Sequence, residues 1–286
     1  MILITGAGGK TGKAIANALV VRGTPVRAFV RSSAHATALK ALGVREIVTG
    51  DMSDPHALSE ATRGTEAIYH ICPNVSPHEI PFAKGVVDAA KRSGVSRLVY
   101  HSVLHPQIEA MPHHWNKLRV EEMLLSSPLD VTILQPTAYM QNILAEWDRM
   151  VGSGIYRVPY PVETRLSLVD LDDVAEAAAA VLTSAGHSGA IYELVGTPPL
   201  SQIEIAGIFA KTLNRPIGAK AETIESWDQR ARKAGIDDYS RTALTKMFLA
   251  YARNGLKGNP NVLGWLIGRP PASLAHFAAR IAAAEE

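Results

Sequence analysis

Three glycines spaced three residues apart, Gly6, Gly9 and Gly12, stand between a short apolar segment and an apolar-periodic helix. A strand that ends in such glycines and opens into a helix is the arrangement that holds a dinucleotide pyrophosphate, because free amide groups and the positive end of the helix dipole face the anion. We expect Gly6 to allow the tight turn, Gly9 to admit a phosphate and Gly12 to allow close packing of helix on strand. A tight turn without a ligand is the alternative.

The residue that follows the second predicted strand indicates which dinucleotide is favoured. Residues 26–30 lead into Arg31, at the place where chains that bind NAD carry an acidic side chain for the ribose hydroxyls. The planar donor fork of an arginine pairs well with a 2′-phosphate, and Lys10 could assist it, so NADP(H) is the predicted cofactor. A solvated surface arginine is the alternative.

The elements that position these residues alternate between strand and helix. This pattern predicts an α/β fold with a doubly wound parallel Rossmann sheet, in which all strand ends lie on one edge. The crevice is expected between strands one and four, with the nicotinamide near Cys72, Pro73 and Ser102. Asp51, at the end of the third strand, either accepts from the adenine amino group or caps the following helix.

We expect two parts of the chain. Residues 1–150 are predicted to form the Rossmann domain, with 165–185 packing back on it, and 186–286 a smaller α+β substrate lobe. Within the first part, residues 139–150 are predicted to form an amphipathic helix. The lobe begins where the pattern changes to short separate strands and helices. Its large aromatic side chains are expected to be core residues more than ligand contacts: Trp227, Tyr239 and Trp265.

Composition narrows the classes of function. The chain has 286 residues, of which 47% are hydrophobic and 20% charged, as in ordinary globular proteins. Its net charge of +2, from 29 basic and 27 acidic residues without a basic block, disfavours nucleic acid as a partner. No apolar run approaches the roughly 18 residues of a membrane span, and a strand that starts at residue 2 leaves no room for a signal peptide. We expect a cytoplasmic protein, and a homodimer is possible.

Motifs along nearly the whole chain resemble the NmrA-like branch of the atypical short-chain dehydrogenases/reductases. They are Thr5-Gly6-x-x-Gly9-x-x-Gly12, Arg31, Gly50-Asp51 with Asp54-Pro55, the segment 98–102, and the C-terminal segments 258–261 and 268–270. The resemblance implies an NADP(H)-binding Rossmann domain with a small substrate lobe. It also implies either reduction of quinone-like, azo or dye-like acceptors, or a sensor of the NADPH/NADP ratio with little or no catalysis.

One departure from the wider dehydrogenase pattern bears on mechanism. Ketone reductases of this type use a Tyr-x-x-x-Lys pair, whereas this chain has His113-x-x-x-Lys117. The resemblance places a functional lysine at Lys117, where it could hold the nicotinamide ribose while His113 or water supplies a proton. A solvated helix start is the alternative for His113. Because a quinone accepts hydride readily and can take its proton from water, the lost tyrosine favours such an acceptor.

The predicted site follows from these arguments. The predicted catalytic residues are Lys117 and His113. The predicted cofactor contacts are Gly6, Gly9, Lys10, Thr11, Gly12, Arg31, Asp51, Met52, Cys72, Pro73, Ser102, Lys117 and Pro136. The predicted contacts of a small-molecule acceptor are Tyr139, Met140, Asn142, Ile143 and Trp227. No metal site is predicted, because the histidines lack ligand spacing on one element.

Overall fold

The computed structural model describes residues 1–284. The strands are β1 (Ile2–Ile4), β2 (Val26–Val30), β3 (Glu46–Thr49), β4 (Ala67–His70), β5 (Arg97–His101), β6 (Asp130–Pro136), β7 (Ala138–Tyr139), β8 (Ile155–Val158), β9 (Arg165–Leu166), β10 (Leu168–Val169), β11 (Ile191–Leu194), β12 (Leu200–Ser201) and β13 (Gly218–Ala221). The helices are α1 (Lys10–Val21), α2 (Ala36–Ala41), α3 (Pro55–Thr62), α4 (Glu79–Ser93), α5 (Pro112–Leu125), α6 (Trp147–Ser153), α7 (Leu171–Thr183), α8 (Gln202–Thr212), α9 (Ile224–Lys233), α10 (Asp238–Asn254), α11 (Asn261–Ile267) and α12 (Leu274–Ala284). Two short 3₁₀ helices cover Ser33–His35 and Met140–Glu146.

A seven-stranded sheet confirms the predicted fold class. Its strand order is β11-β6-β5-β4-β1-β2-β3, and β1 pairs in parallel with both β2 and β4. The order reverses between β1 and β4, so the carboxyl ends of these two strands flank the switch point at which doubly wound sheets bind ligands. The glycine loop follows β1 directly and therefore opens at that point.

Apolar side chains on both faces explain why these short segments form central strands. All three residues of β1 and all four of β4 are buried, as parallel strands covered by helices require. Leu58 of α3, Val86 of α4 and Leu124 of α5 pack in one core with Ile68 and Leu98 of the sheet. This core holds α4 and α5, which carry polar residues of the candidate site, against the sheet.

The chain divides into two compact units. The first contains residues 1–107, 113–135 and 174–192, and the second contains 108–112, 136–173 and 193–284. These units are groups of residues in mutual contact, and the predicted domain boundaries stay a prediction. Among residues 1–284, no helix combines the length and apolar character that crossing a membrane requires.

Four local expectations are wrong. The predicted helix over 139–150 is a 3₁₀ helix over Met140–Glu146 followed by α6, which continues to the left-handed Gly154. Strand β11, expected in the smaller lobe, instead joins the central sheet beside β6. The backbone N–H groups of Ile133 and Thr137 donate to the carbonyl oxygens of Ala190 and Leu194, which extends the parallel hydrogen bonding of the sheet. Trp265 and Tyr239, both expected to be core residues, are 77% and 36% exposed.

Candidate functional site

The loop between β1 and α1 requires glycine at two of the three predicted positions. Gly6 has a φ of +60°, in the left-handed region, and a Cβ there would lie 2.8 Å from the carbonyl oxygen of Ile71. A Cβ on Gly12 would lie 2.5 Å from the carbonyl oxygen of Gly6, closer than non-bonded atoms approach. The start of α1 therefore packs directly against the glycine turn, as the spacing predicts.

Gly9 differs, because no protein atom demands a glycine there. Its φ is −75°, and the nearest atom to an added Cβ is the carbonyl oxygen of Gly6, at 3.5 Å. As the N-terminal cap of α1, Gly9 offers no side chain to the first amides, whereas the caps of α3, α8, α9 and α10 each accept a backbone N–H. The first turn, which includes Lys10 and Thr11, has no acidic side chain. These open amides and this open space fit a dinucleotide pyrophosphate.

The ends of β2 and β3 place Arg31 and Asp51 on the surface beside each other. Arg31 is exposed and makes no hydrogen bond or ion pair within residues 1–284, so its guanidinium is available to a phosphate. The Asp51 carboxylate accepts from the Ser53 hydroxyl at 2.6 Å and the Ser53 amide at 2.8 Å, and these bonds, with the charge of Arg31, lower the pKa of Asp51. Asp54, not Asp51, caps α3, so the capping alternative for Asp51 is wrong.

The buried hydroxyl of Thr5 ties the glycine loop to the end of β4. Its Oγ1 accepts from the amide of Ile71 at 3.0 Å and lies 2.9 Å from Nδ1 of His70. Burial lowers the pKa of His70 to about 4, so the ring is neutral at neutral pH. The loop is thereby held at a fixed position beside β4, the strand across the switch point.

The ammonium group of Lys117 is fixed by two partners at the carboxyl ends of the strands. Nζ donates to Oε1 of Glu79 at 2.9 Å and to the carbonyl oxygen of His101, the last residue of β5, at 3.1 Å. It also lies 5.2 Å from the centre of the Tyr100 ring. An ammonium has three protons, and Lys117 makes no third hydrogen bond within the described part of the chain. One N–H is therefore left to donate to a ligand.

Glu79 is the acidic partner that keeps this arrangement in place. Its side chain is only 3% exposed, and it also accepts from the Tyr100 hydroxyl at 2.7 Å. Burial alone would raise the pKa of Glu79, but the charge and hydrogen bond of Lys117 and the bond from Tyr100 outweigh it and lower the pKa. Burial and the same carboxylate raise the pKa of Tyr100 well above its usual value. Glu79 is therefore a carboxylate and Tyr100 a neutral phenol at neutral pH.

The two predicted catalytic residues lie on one helix but differ in charge. His113 and Lys117 both belong to α5, as predicted. Burial, together with the charge of Lys117, lowers the pKa of His113 to about 4, and its Nδ1 is buried without a partner. A neutral imidazole carries no extra proton to donate, which weighs against His113 as the acid. Its catalytic role stays a prediction, and Lys117 is the stronger candidate.

A second buried carboxylate lies one turn further along α5. Glu121 accepts a short hydrogen bond from the Ser102 hydroxyl and bonds from Nε2 of Gln135 at 2.9 and 3.0 Å. Ser102 follows β5 and Gln135 lies in β6, so this carboxylate joins α5 to the ends of two neighbouring strands. Burial raises the pKa of Glu121, while the bonds from Ser102 and Gln135 oppose that rise.

The remaining predicted contacts of the first unit follow β3 and β4. Cys72 is buried, and burial raises the pKa of its thiol far above the usual value, so it is an inert packing residue rather than a nucleophile. Pro73 is exposed and Met52 is half-buried. Their contact with a cofactor stays a prediction.

The residues predicted to contact an acceptor lie in the second unit, together with Pro136. Met140, Ile143 and Trp227 are buried there, and Trp227 packs edge-on against Phe248 at 4.9 Å between ring centres. Tyr139 is half-buried and Asn142 is exposed. Buried side chains have little surface for a ligand, so Tyr139 and Asn142 are the better candidates of this set.

Sequence reasoning missed four polar residues and one glycine of the site. A Cβ on Gly8 would lie 2.4 Å from the His35 ring, which packs on the loop. Glu121 has a signal, because its spacing of four from Lys117 places both on one helix face. Glu79 has only a weak sequence signal, namely that it is an acidic residue in the first turn of α4. The polar residues are Glu79, Tyr100, Glu121 and Gln135.

The glycine loop generates a test that separates folding from binding. Gly9→Ala should leave the free energy of unfolding within about 0.5 kcal/mol of wild type, because an added Cβ meets no close protein atom. It should weaken NADPH binding strongly, because that Cβ occupies the approach of the pyrophosphate. Gly12→Ala should instead cost about 2 kcal/mol through steric overlap. Urea unfolding and NADPH fluorescence titration measure both effects; an unchanged affinity in Gly9→Ala would argue against this pyrophosphate site.

Comparisons with known proteins agree with this geometry. The chain is 29% identical over 293 residues to an NAD(P)H azoreductase of Xenophilus azovorans, with 99% of each chain covered. It is 28% identical over 277 residues to quinone oxidoreductase 2 of Escherichia coli, with 96% of each covered. The solved structure of an NADPH-dependent quinone oxidoreductase of Escherichia coli in complex with NADPH superposes with a TM-score of 0.86 at 27% identity, covering 98% of this chain and 99% of the other. The model of the NmrA-like family matches residues 1–274, and the chain therefore belongs to the NmrA-like family.

Proposed function

We propose that this protein is an NADPH-dependent oxidoreductase that transfers hydride to an electron-poor acceptor such as a quinone or an azo or dye-like compound. The observation that carries the proposal is the fixed ammonium of Lys117, which lies at the carboxyl ends of the strands in the same unit as the glycine loop. The names of the full-length relatives, an azoreductase and a quinone oxidoreductase, support the class of acceptor.

Different residues of the first unit bind different parts of the cofactor. The amides at the start of α1 receive the pyrophosphate, and the unpaired guanidinium of Arg31 receives the 2′-phosphate. Ser102, which directly follows β5, lies on the edge where the nicotinamide belongs. When bound, the reduced nicotinamide supplies two electrons as a hydride, and the acceptor needs one further proton to complete its reduction.

Lys117 assists the reduction by stabilising charge. Hydride addition to a quinone leaves negative charge on an oxygen, and the remaining N–H of Lys117 can donate a hydrogen bond to that oxygen. Glu79 and the carbonyl oxygen of His101 hold the ammonium before the acceptor arrives, so little reorganisation is needed during the reaction. The oxygen then takes its proton from water. This route does not require the tyrosine that ketone reductases use.

The first test distinguishes a protein that oxidises NADPH catalytically from one that only binds it. Purified protein mixed with NADPH and a panel of quinones and azo dyes should oxidise NADPH only when an acceptor is present, which is followed as loss of the NADPH absorbance band. Lys117→Met should lower kcat by about 100-fold, because it removes the donor to the developing oxyanion. Lys84→Met, which removes an exposed lysine of α4, is the matched control and should leave kcat unchanged.

Tight NADPH binding without NADPH oxidation by any acceptor of the panel would refute the proposal of an enzyme. It would favour a sensor of the NADPH/NADP ratio, which the resemblance also allows. A small-molecule acceptor is thus part of this proposal, whereas a homodimeric state and a cytoplasmic location stay predictions from the sequence.

The second test concerns the choice of cofactor. Arg31→Ala should raise the dissociation constant for NADPH by about 10- to 100-fold, the size of a charged hydrogen-bonded contact. It should leave the dissociation constant for NADH nearly unchanged, because only NADPH carries the 2′-phosphate. Dissociation constants for both cofactors, measured by fluorescence titration, check this. An equal loss for the two cofactors would show that Arg31 does not contact the 2′-phosphate.

A further inference from the structure

The Ser102–Glu121–Gln135 cluster has a fixed hydrogen-bond polarity. Glu121 is 4% exposed, and its carboxylate receives bonds from the hydroxyl of Ser102 and the amide group of Gln135. In these three bonds the Ser102 hydroxyl and the Gln135 amide nitrogen are the donors, and the carboxylate oxygens are the acceptors. Both neighbours therefore turn their protons towards Glu121.

This polarity limits what the two neighbours can offer to a ligand. A serine hydroxyl has one proton, and Ser102 gives it to Glu121, which leaves only lone pairs. Nε2 of Gln135 faces Glu121, which leaves its carbonyl oxygen, Oε1, as the free end of the amide. A ligand that contacts Ser102 or Gln135 thus meets acceptors, and a hydrogen bond to either side chain needs a donor on the ligand.

The free oxygen of Gln135 is also within reach of a ligand. Within residues 1–284, Oε1 accepts no hydrogen bond, yet it is not one of the fully buried polar atoms that lack a partner. The atom therefore retains contact with the surface, although the residue as a whole is only 7% exposed. It lies at the carboxyl end of β6, next to the strand that leads into Ser102.

We propose that Glu121 is a positioning residue that orients Gln135, so that Oε1 of Gln135 accepts a hydrogen bond from the carboxamide N–H₂ of the nicotinamide. The inference rests on the proposed NADPH-dependent function and adds to it two residues outside the predicted site. The carboxamide is the part of the nicotinamide that brings an N–H₂ donor. Gln135 is then the residue that recognises this end of the cofactor, and Ser102 reinforces the preference for a donor.

The test compares NADP⁺ with its analogue in which a methyl ketone replaces the carboxamide. Isothermal titration with wild-type protein should show a preference for NADP⁺ of about fivefold, the worth of one neutral hydrogen bond. Gln135→Leu should lower the affinity for NADP⁺ by that factor and leave the affinity for the analogue unchanged. The preference for NADP⁺ over the analogue is then lost. Glu121→Gln should also remove it, because a neutral amide no longer dictates which end of Gln135 faces the ligand. Gln107→Leu, at an exposed glutamine of the same unit, is the matched control and should keep the preference.

A merely structural role gives a different result. The inference is overturned if Gln135→Leu and Glu121→Gln lower the affinity for both dinucleotides by the same factor, or lower the affinity for neither. If either variant fails to fold, as checked by circular dichroism, the other variant and the wild-type preference still decide. Wild-type protein that binds both dinucleotides equally would also overturn it, whereas wild-type protein that binds neither would instead refute the proposed function.

Discussion

The buried ion pair between Lys117 and Glu79 is the interaction on which the candidate site depends. Removing two charges from water costs several kcal/mol for each ion, and the cost is offset only when geometry and further hydrogen bonds are good. Here the Tyr100 hydroxyl and the carbonyl oxygen of His101 complete the set. The pair joins α4, α5 and the end of β5, so the position of the ammonium follows from the packing of those elements against the sheet.

A polar layer therefore caps the apolar core at the carboxyl ends of the strands. Below it, β1, β4 and β5 are buried on both faces. Within it, the imidazoles of His70, His101 and His114 are kept neutral by burial, which lowers their pKa values to about 4, 3 and 3. Because these rings are neutral, the Lys117 ammonium beside them is a charged donor that can stabilise a developing negative charge, which fits the proposed hydride transfer to a quinone.

Local sequence patterns predicted the fold well, because periodicity, glycines and caps act within a few residues. The glycine loop, the strands to β6 and the placement of His113 and Lys117 on α5 all follow from such patterns. Glu79 could not be assigned, because its role depends on Lys117, 38 residues away. Gln135 depends on Glu121 in the same way, and β11 was misplaced because the pairing of a short strand is decided by a distant neighbour. Long-range polar partners of this kind leave little trace in a single sequence.

We propose that Glu79 holds the Lys117 ammonium in the position that assists reduction. The most direct measurement is the steady-state kinetics of Glu79→Gln with NADPH and a quinone, beside the equilibrium affinity for NADPH. We predict that kcat falls by about tenfold or more while the NADPH dissociation constant stays within about twofold, since the glutamine keeps the shape of the side chain but loses its charge. Glu122→Gln, at an exposed glutamate of α5 that is 71% exposed, serves as the control. Wild-type kcat in a folded Glu79→Gln variant would contradict the account.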